Sequence, residues 1–261
     1  MAQPEFEYTT DNFRKFYEEL KNTEFVTTDK ECDRFLNMLE SEEPFALTRM
    51  NDGEMSSFVR PDGQRFGRTQ HTVVSEKLRQ KFREVLSHEQ KNYWVGLVCP
   101  ECYPDLNKIA KEYVRDDYEY QTRAVVLTNR NWGRFVTKFP DAVSNRRLVW
   151  MGSKDQNLEM LRDVTSINIR EVISVPNLNT WDYYDQIKQM HRKFSDGDVV
   201  AFSSGPISRI LIKEWYEQRP DVTFVGIGSV FDNFTKNVWH ACHRGWTRMG
   251  KCETKECSVC N

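Results

Sequence analysis

The chain is predicted to fold as one α/β domain, with a mainly parallel, Rossmann-like sheet covered by helices on both faces. Apolar runs of four to six residues alternate along it with amphipathic stretches of ten or more. Crossover units between parallel strands produce this alternation. Apolar residues make up 39% of the 261 residues and aromatic residues 13%, which is enough for a sizeable core.

The first half of the chain opens with two amphipathic stretches of helical spacing. In the second of them, Asp29 is a capping residue, and Phe35, Leu36 and Leu39 form an apolar stripe. Apolar runs and further helical patterns then follow in turn. In order, this half is predicted to contain helices over 10–22 and 29–40, a strand over 45–49, a helix over 74–87, a strand over 93–98, a helix over 105–118 and a strand over 124–127.

The second half continues the alternation, and turn residues bound its strands. Pro176 follows one apolar run, and Asp196-Gly197 precedes the next. The predicted order is a helix over 132–139, strands over 147–151 and 171–175, a helix over 181–194, a strand over 198–203, a helix over 207–218 and a strand over 222–227. No linker composition divides this region, so we expect one domain over 1–239 and a Cys- and His-rich tail over 240–261 that packs on it.

Bulk charge argues against some classes of partner. The formal net charge is -2, so there is no clustered basic excess of the kind that binds nucleic acid or an anionic membrane. The chain has no apolar run of about 18 residues, and hence no expected membrane span. Its first residues lack a basic region followed by an apolar one, so a cytoplasmic protein without a signal peptide is expected.

The segments with candidate chemistry come directly after predicted strands. Parallel α/β sheets bind ligands outside the carboxyl ends of their strands. A site at that edge of the sheet is therefore expected. The segments are 51–54, 99–102, 152–154, 176–182, 203–206 and 228–232.

Asp52-Gly53-Glu54 follows the first predicted strand. Two carboxylates two residues apart on a tight turn can face one Mg²⁺ or Mn²⁺, which prefers carboxylate oxygens and keeps positions for substrate phosphates. Gly53 lets the backbone turn sharply. The alternative is a plain surface turn, since Asp-Gly is a common turn pair.

Two later segments have the character of ligand loops. In Ser204-Gly205-Pro206, a glycine and then a proline open a helix whose amino end suits a pyrophosphate. In the segment from Gly226 to Asp232, the glycines permit close approach of a ligand, and Asp232 can bind a sugar hydroxyl or act as a base. An ordinary strand-to-helix turn and an ordinary glycine loop are the alternatives.

These motifs, in this order, resemble the GT-D type glycosyltransferase family, formerly a bacterial domain of unknown function. Arg49-x-x-Asp52-Gly53-Glu54 is similar to the family's Arg-Phe-Gly-Asp-Gly-Glu signature. Gly205-Pro206 opening a helix, and Gly226-Ile227-Gly228 followed by Asp232, resemble its later motifs, as does the segment from Val175 to Tyr184. Asn51 stands in place of the family's usual Gly, and Gly226 in place of its usual Asp. The resemblance extends to the branch found in large DNA viruses, such as an algal-virus xylosyltransferase, for which the location would be the host cytoplasm.

The resemblance implies transfer of a sugar from a UDP-sugar, UDP-xylose or UDP-glucose, to a hydroxyl of a glycan or glycoprotein acceptor. It implies a divalent cation, Mn²⁺ or Mg²⁺, held by Asp52 and Glu54. Asp232 and Asp182 are the candidate catalytic bases, ahead of His240. Trp181, Tyr183 and Trp239 are candidates to stack on sugar or uracil, with a core role as the alternative. The implied donor- and phosphate-binding set is Arg49, Asp52, Gly53, Lys154, Ser204, Gly205, Gly228 and Ser229.

The seven cysteines suggest a second kind of site. Cys242, Cys252, Cys257 and Cys260 have the spacing of metal ligands, and a structural Zn²⁺ could fix a polar tail that has no core of its own. A site that combines the last two with the Cys99-x-x-Cys102 pair is an alternative, as are free thiols. A thioredoxin-type centre is disfavoured because the surrounding pattern is unlike that fold.

Two other functions remain open from the sequence. A non-catalytic nucleotide-sugar or glycan-binding protein on the same scaffold is the main alternative, because Asn51 and Gly226 depart from the family pattern. A zinc-dependent nucleic-acid module is opposed by the nearly neutral charge.

Overall fold

The computed structural model describes residues 9–23, 30–66, 72–176 and 180–236 and contains one large sheet and one hairpin. The seven strands of the large sheet are β1 (Ala46–Met50), β4 (Tyr93–Leu97), β5 (Gln121–Arg123), β6 (Leu148–Ser153), β7 (Ile169–Val175), β8 (Val199–Ser203) and β9 (Thr223–Val225). The antiparallel hairpin pairs β2 (Arg65–Phe66) with β3 (Thr72–Val73).

Helices occupy most of the connections between strands. Several begin at capping residues: the Thr9 and Ser75 hydroxyls accept bonds from the first-turn amides of α1 and α4. The helices are α1 (Thr10–Lys21), α2 (Lys30–Glu40), α3 (Asp52–Met55), α4 (Glu76–Leu86), α5 (Pro104–Lys111), α6 (Trp132–Ala142), α7 (Leu158–Thr165), α8 (Tyr184–Ile187), α9 (Ile207–Gln218) and α10 (Asp232–Thr235). Among the described residues, none of them is long and apolar enough to cross a bilayer.

The strand order of the large sheet is β5-β4-β1-β9-β8-β6-β7, and every neighbouring pair is parallel. The chain starts at the centre with β1, moves outward to β4 and β5, and crosses to β6 and the edge strand β7. It then returns inward through β8 to β9, which pairs with β1. The direction of winding changes between β1 and β9, and in parallel sheets such a switch point leaves a crevice at the carboxyl ends of the strands.

Two hydrophobic cores cover the two faces of the sheet. One packs α1, α2, α6, α7 and α10 around Trp132 and Trp150, and the other packs α4 and α9 around Trp215 and Phe202. All four of these side chains are fully buried. The single α/β domain with helices on both faces, predicted from the sequence, is therefore confirmed.

One predicted strand was wrong. Residues 124–127 form turns, and the extended segment β5 lies just before them. Val126 and Leu127 are buried in the first core, so their apolar character reflects burial and not extension. Ala124 is held by its neighbours, since its N–H donates to the Leu97 carbonyl at 2.8 Å.

Other elements differ in detail from the sequence prediction. The helix predicted over 181–194 is a 3-10 turn (Thr180–Tyr183), then α8, then a second 3-10 stretch (Lys188–Lys193). The β2–β3 hairpin and α7 were not predicted. Asp52-Gly53-Glu54 is the first turn of the short helix α3 and not a loop, because the Glu54 carboxylate accepts from the Asn51 N–H at 3.2 Å and closes the turn.

Candidate functional site

The candidate site lies at the carboxyl ends of β1, β8 and β9, beside the switch point of the sheet. The segment after β1 enters α3, the segment after β8 enters α9, and the segment after β9 leads to α10. Because β1, β9 and β8 are consecutive in the sheet, these three segments meet at one end of the molecule. We call this region the β1/β9 crevice.

Arg49, near the end of β1, holds the crevice together. Its Nε donates to the Gly226 carbonyl at 2.6 Å, its Nη2 to the Ile227 carbonyl at 2.6 Å, and its Nη1 to the Ala124 carbonyl at 3.0 Å. The guanidinium group is buried and therefore fixes the segments after β9 and β5 against β1. Its expected donor-binding role stays a prediction, and these contacts give it a structural task as well.

Gly228 permits a close approach that a side chain would block. Its φ is +57°, and a Cβ built on it would lie 2.7 Å from Nη2 of Arg49 and 3.8 Å from Nη2 of Arg209. Two guanidinium groups therefore flank this glycine. Gly226 is also confined, because a Cβ there would lie 3.0 Å from the Leu47 carbonyl oxygen.

A buried hydrogen-bond chain joins the segments after β6, β8 and β9. The Trp150 indole N–H donates to Oε1 of Gln156 at 3.0 Å, and Nε2 of Gln156 donates to Oγ of Ser203 at 2.8 Å. The Ser203 hydroxyl donates in turn to the Gly228 carbonyl at 2.8 Å. Nothing in the sequence marked Gln156, because a glutamine after a strand is ordinarily a solvent-facing loop residue.

Glu54 is engaged by an ion pair that was not predicted. Its Oε1 lies 3.0 Å from Nη2 of Arg209, and its Oε2 accepts from the Asn51 N–H. Glu54 and Arg209 are each only 6% exposed. The available sequence signal was a charged residue beside Ile210 and Leu211 in the first turn of a helix that follows Gly-Pro.

Asp52 is the carboxylate that fits the expected cation. It is half-buried, and no described residue hydrogen-bonds its carboxylate. The described residues hold no group of three His, Cys, Asp or Glu side chains that could form a complete protein cage for a metal. One carboxylate suffices where Mg²⁺ or Mn²⁺ keeps its waters and binds substrate phosphates. The observed ion pair competes with the expected metal role of Glu54.

The segment before α9 has the features of an anion site. Gly205 is exposed with φ +70°, and its carbonyl accepts from the Ser208 N–H at 3.1 Å and from the Ser208 hydroxyl at 2.5 Å. Ser204 is 6% exposed, and its Oγ has no hydrogen-bond partner in the described part of the chain. A buried hydroxyl without a partner costs free energy, so a ligand acceptor there would be stabilising.

The two candidate bases lie in different places. Asp232 begins α10 after β9 and is 3% exposed, with Nζ of Lys236 at 3.4 Å from its Oδ2. Asp182 is exposed and lies after the edge strand β7. Asp232 is therefore on a segment of the crevice, whereas Asp182 follows a strand that is three places from β9 in the sheet.

The remaining donor candidates also divide by position. Gly53 and Ser229 lie on the crevice segments after β1 and β9. Lys154 is exposed after β6, where its N–H donates to the Val175 carbonyl at 3.3 Å, so it lies toward the β7 side.

Trp181 is half-buried and packs against the second core, in line with the alternative to ligand stacking, which stays a prediction. Its ring stacks on Tyr184 with centroids 4.9 Å apart, and Nζ of Lys77 lies 5.7 Å from the ring centroid. The Tyr184 hydroxyl donates to Glu214 at 2.6 Å, and burial is the largest cause that raises the pKa of this phenol. The Tyr184 hydroxyl is therefore engaged as a donor to Glu214. Tyr183, by contrast, is exposed.

Three of the seven cysteines lie within the described residues. Cys99 is buried and Cys102 is half-buried. The expected zinc ligands lie outside the described residues, as do His240 and Trp239. The structural Zn²⁺ and the tail over 240–261 therefore stay predictions.

Comparison with known proteins adds information about the fold. No protein-family model matches the sequence, and no curated protein matches it. A structure described as a new glycosyltransferase (domain of unknown function 1792) from Streptococcus sanguinis is similar, with a TM-score of 0.59 and 16% identity over 84% of each chain.

Two further structures agree with it. One, described as domain of unknown function 1792, gives a TM-score of 0.58 at 12% identity. The other, described as showing that this domain has a distinct glycosyltransferase fold, gives 0.57 at 13% identity. Both cover 93% of this chain and 86% of theirs. The chain therefore has this fold, as the resemblance in its sequence implied.

Proposed function

We propose that the chain is a glycosyltransferase that binds a nucleoside-diphosphate sugar in the β1/β9 crevice. The observation that carries the proposal is the convergence, at the switch point of the sheet, of Asp52 with the opening of α9 and the glycines after β9. The fold shared with structures described as glycosyltransferases supports it. Fold alone does not define a reaction, so the residues of the crevice must carry the chemistry.

The opening of α9 is the proposed diphosphate site. The hydroxyl of Ser204 and the backbone of Gly205 lie where the positive end of a helix dipole favours anions. Gly53, Gly228 and Ser229 would line the same space, and the buried charge of Arg49 would add positive potential. Lys154 would contact the donor only from the β7 side.

Asp52 would hold the divalent cation, Mn²⁺ or Mg²⁺, with phosphate and water oxygens completing its coordination. A bound cation would neutralise the charge that develops on the leaving diphosphate. Glu54 stays a candidate second ligand only if it leaves Arg209. In the arrangement described above, its two oxygens are occupied.

The acceptor hydroxyl needs a base if the reaction inverts the sugar. We favour Asp232 over Asp182, because Asp232 is on a crevice segment. The donor is proposed to be UDP-xylose or UDP-glucose, and the acceptor a hydroxyl of a glycan or glycoprotein. The enzyme is proposed to act in the cytoplasm. Membership of the large-DNA-virus branch likewise stays a proposal.

The decisive experiment is calorimetry of UDP binding with and without Mn²⁺. Wild type is expected to bind UDP more tightly with the metal, and Asp52→Asn is expected to lose that gain because it loses the coordinating charge. Asp155→Asn, an exposed carboxylate after β6, is the matched control and should bind like wild type. If UDP binding by Asp52→Asn still strengthened with Mn²⁺, the proposal that Asp52 holds the cation would be wrong.

A second candidate is a nucleotide-sugar-binding protein without catalysis. The engagement of both Glu54 oxygens favours it, because it leaves fewer groups for chemistry. Release of UDP from UDP-sugars in the presence of acceptor glycans would exclude it. Tight UDP binding without any turnover across the donor set would support it.

A further inference from the structure

Arg209 occupies a central place in the crevice, although the sequence analysis did not single it out. It lies in the first turn of α9, its Nη1 donates to Oγ of Ser208 at 2.7 Å, and its Nη2 pairs with Glu54 at 3.0 Å. The Cβ positions of Gly226 and Gly228 would lie 3.4 and 3.8 Å from its terminal nitrogens. It therefore contacts or borders all three crevice segments.

The Glu54–Arg209 pair has no evident advantage for stability alone. Both side chains are almost fully buried, and removing two charges from water costs as much as their attraction returns unless further bonds satisfy them. The Nε of Arg209 is buried without a partner among the described residues, so the pair is incompletely satisfied. If the pair served only stability, two well-packed apolar side chains in its place would stabilise the fold equally well.

What the pair does is fix the first turn of α3. Arg209 restrains one oxygen of Glu54, and the other oxygen accepts from the Asn51 N–H. The backbone from Asn51 to Glu54 is thus clamped at both ends, and Asp52 lies inside the clamp. Without Arg209, the Glu54 carboxylate would be free to turn toward water or a cation, and the first turn of α3 would lose this restraint.

We propose that Arg209 is a positioning residue that acts through Glu54 to hold Asp52 in the orientation that the donor site needs. This assignment rests on the proposed function of the crevice. It also makes Glu54 a structural carboxylate and leaves Asp52 as the carboxylate that faces the donor.

The first test needs no ligand. Backbone amide exchange over residues 51–56 is measured in wild type, Glu54→Gln, Arg209→Gln and the double variant, in which two neutral amides replace the ion pair. We expect exchange in the single variants to rise on the order of tenfold over this segment relative to the rest of the chain. Unchanged exchange, or an equal rise everywhere, would overturn the clamp.

The control is Arg146→Gln. Arg146 is also buried, at 7% exposure, but it lies at the amino ends of the strands, where it donates to the Gly197 carbonyl at 2.7 Å and to the Thr223 hydroxyl at 2.9 Å. Arg146→Gln should lower global stability. It should not raise amide exchange over residues 51–56 relative to the rest of the chain, and it should not change UDP affinity. If Arg209→Gln does not fold, Arg209→Lys, which keeps the charge but not the planar fork, replaces it.

The second test is a double-mutant cycle on UDP affinity by calorimetry. If Arg209 acts through Glu54, the double variant should bind no more weakly than the weaker single variant. Losses that multiply would show that the two residues act independently and would overturn the proposal. If wild type binds no UDP, the proposed function fails, and the exchange experiment alone decides whether Arg209 positions the turn.

Discussion

At the scale of single residues, the crevice is built from backbone conformations that few side chains allow. Gly228 combines a left-handed φ of +57° with a close approach to the guanidinium of Arg49. That guanidinium cannot move aside freely, because three carbonyl groups hold it. The glycine therefore has both a conformational and a steric requirement.

Gly228→Ala is expected to lower the free energy of unfolding by about 3 kcal/mol, from the cost of left-handed φ and from at least one displaced hydrogen bond of Arg49. Gly197→Ala is the matched control. Its φ is +79°, but no atom lies within 4 Å of the added Cβ, so only the conformational cost of about 1 kcal/mol applies. Urea denaturation measures both, and equal losses would contradict the steric argument.

At this scale the sequence placed several candidate residues at one edge of the sheet, but it did not indicate which side chains they contact. Asp52, Ser204 and Gly228 were predictable because each follows an apolar run, and strand ends gather at one edge of a parallel sheet. Arg209 was not predictable, because its partner lies 155 positions earlier in the chain and no local spacing encodes that pair. Arg49 was identified by its motif. Its three carbonyl contacts were not predictable, because the carbonyls belong to segments far along the chain that only the fold brings next to β1.

At the scale of elements, the connection from β1 to α4 is the least regular part of the sheet's winding. It contains α3, a 3-10 turn and the small β2–β3 hairpin. Arg79 of α4 fastens it, since Nη1 donates to the Arg60 carbonyl at 3.2 Å and Nη2 pairs with Asp62. A single helix side chain thus holds much of this connection.

Arg79→Met is expected to loosen this connection while changing global stability by less than about 1 kcal/mol, because its ion pairs are near the surface. Amide exchange over 56–66 should accelerate, and the rest of the chain should not change. Arg115→Met removes an arginine that pairs with Asp117 and Glu89 elsewhere, and it should leave 56–66 unaffected. Unchanged exchange over 56–66 in Arg79→Met would exclude this fastening role.

Element types were more predictable than element limits. Most helices and strands follow apolar periodicity, which reports burial of a face. The same signal wrongly predicted a strand over 124–127, because the buried apolar residues of this segment lie in turns. It also gave one continuous helix over 181–194, although tertiary contacts such as the Trp215 indole bond to the Lys188 carbonyl at 2.8 Å accompany a 3-10 stretch there.

At the scale of the whole molecule, the beginning and the end of the described chain share one core. Phe234 of α10 is fully buried, with its ring centroid 5.8 Å from that of Phe13, 5.9 Å from that of Tyr17 and 6.4 Å from that of Trp132. Its ring thus joins α1, α6 and α10. The crevice segment that leads into α10 is therefore anchored by this cluster.

Phe234→Ala is expected to destabilise the protein by about 3–5 kcal/mol, because it leaves a cavity among aromatic rings that cannot collapse. Fluorescence and far-UV circular dichroism should report the same lowered transition, as expected when one domain unfolds cooperatively. Phe58→Ala, at a half-buried ring beside Tyr113, should cost less. An equal loss of stability in both variants would contradict the anchoring role of the aromatic rings packed around Phe234.

The fold class was predictable at this scale, because alternating strands and helices leave few arrangements. The order of strands was not, since periodicity carries no information about which strands become neighbours. The pairing of β1 with β9, from which the crevice arises, is the clearest example.

That pairing also has a consequence for how the chain folds as it is synthesised. The register matches Ala46 with Phe224 and Leu47 with Val225, so these central neighbours are the first and the last strands of the described chain. Such contacts slow folding, because a long loop must close before they form. On the ribosome, β1, β4 and β5 can associate early, but the middle of the sheet stays open until Thr223 to Val225 emerge. The half-built sheet then exposes two unpaired interior edges, and such edges make a folding intermediate prone to aggregate.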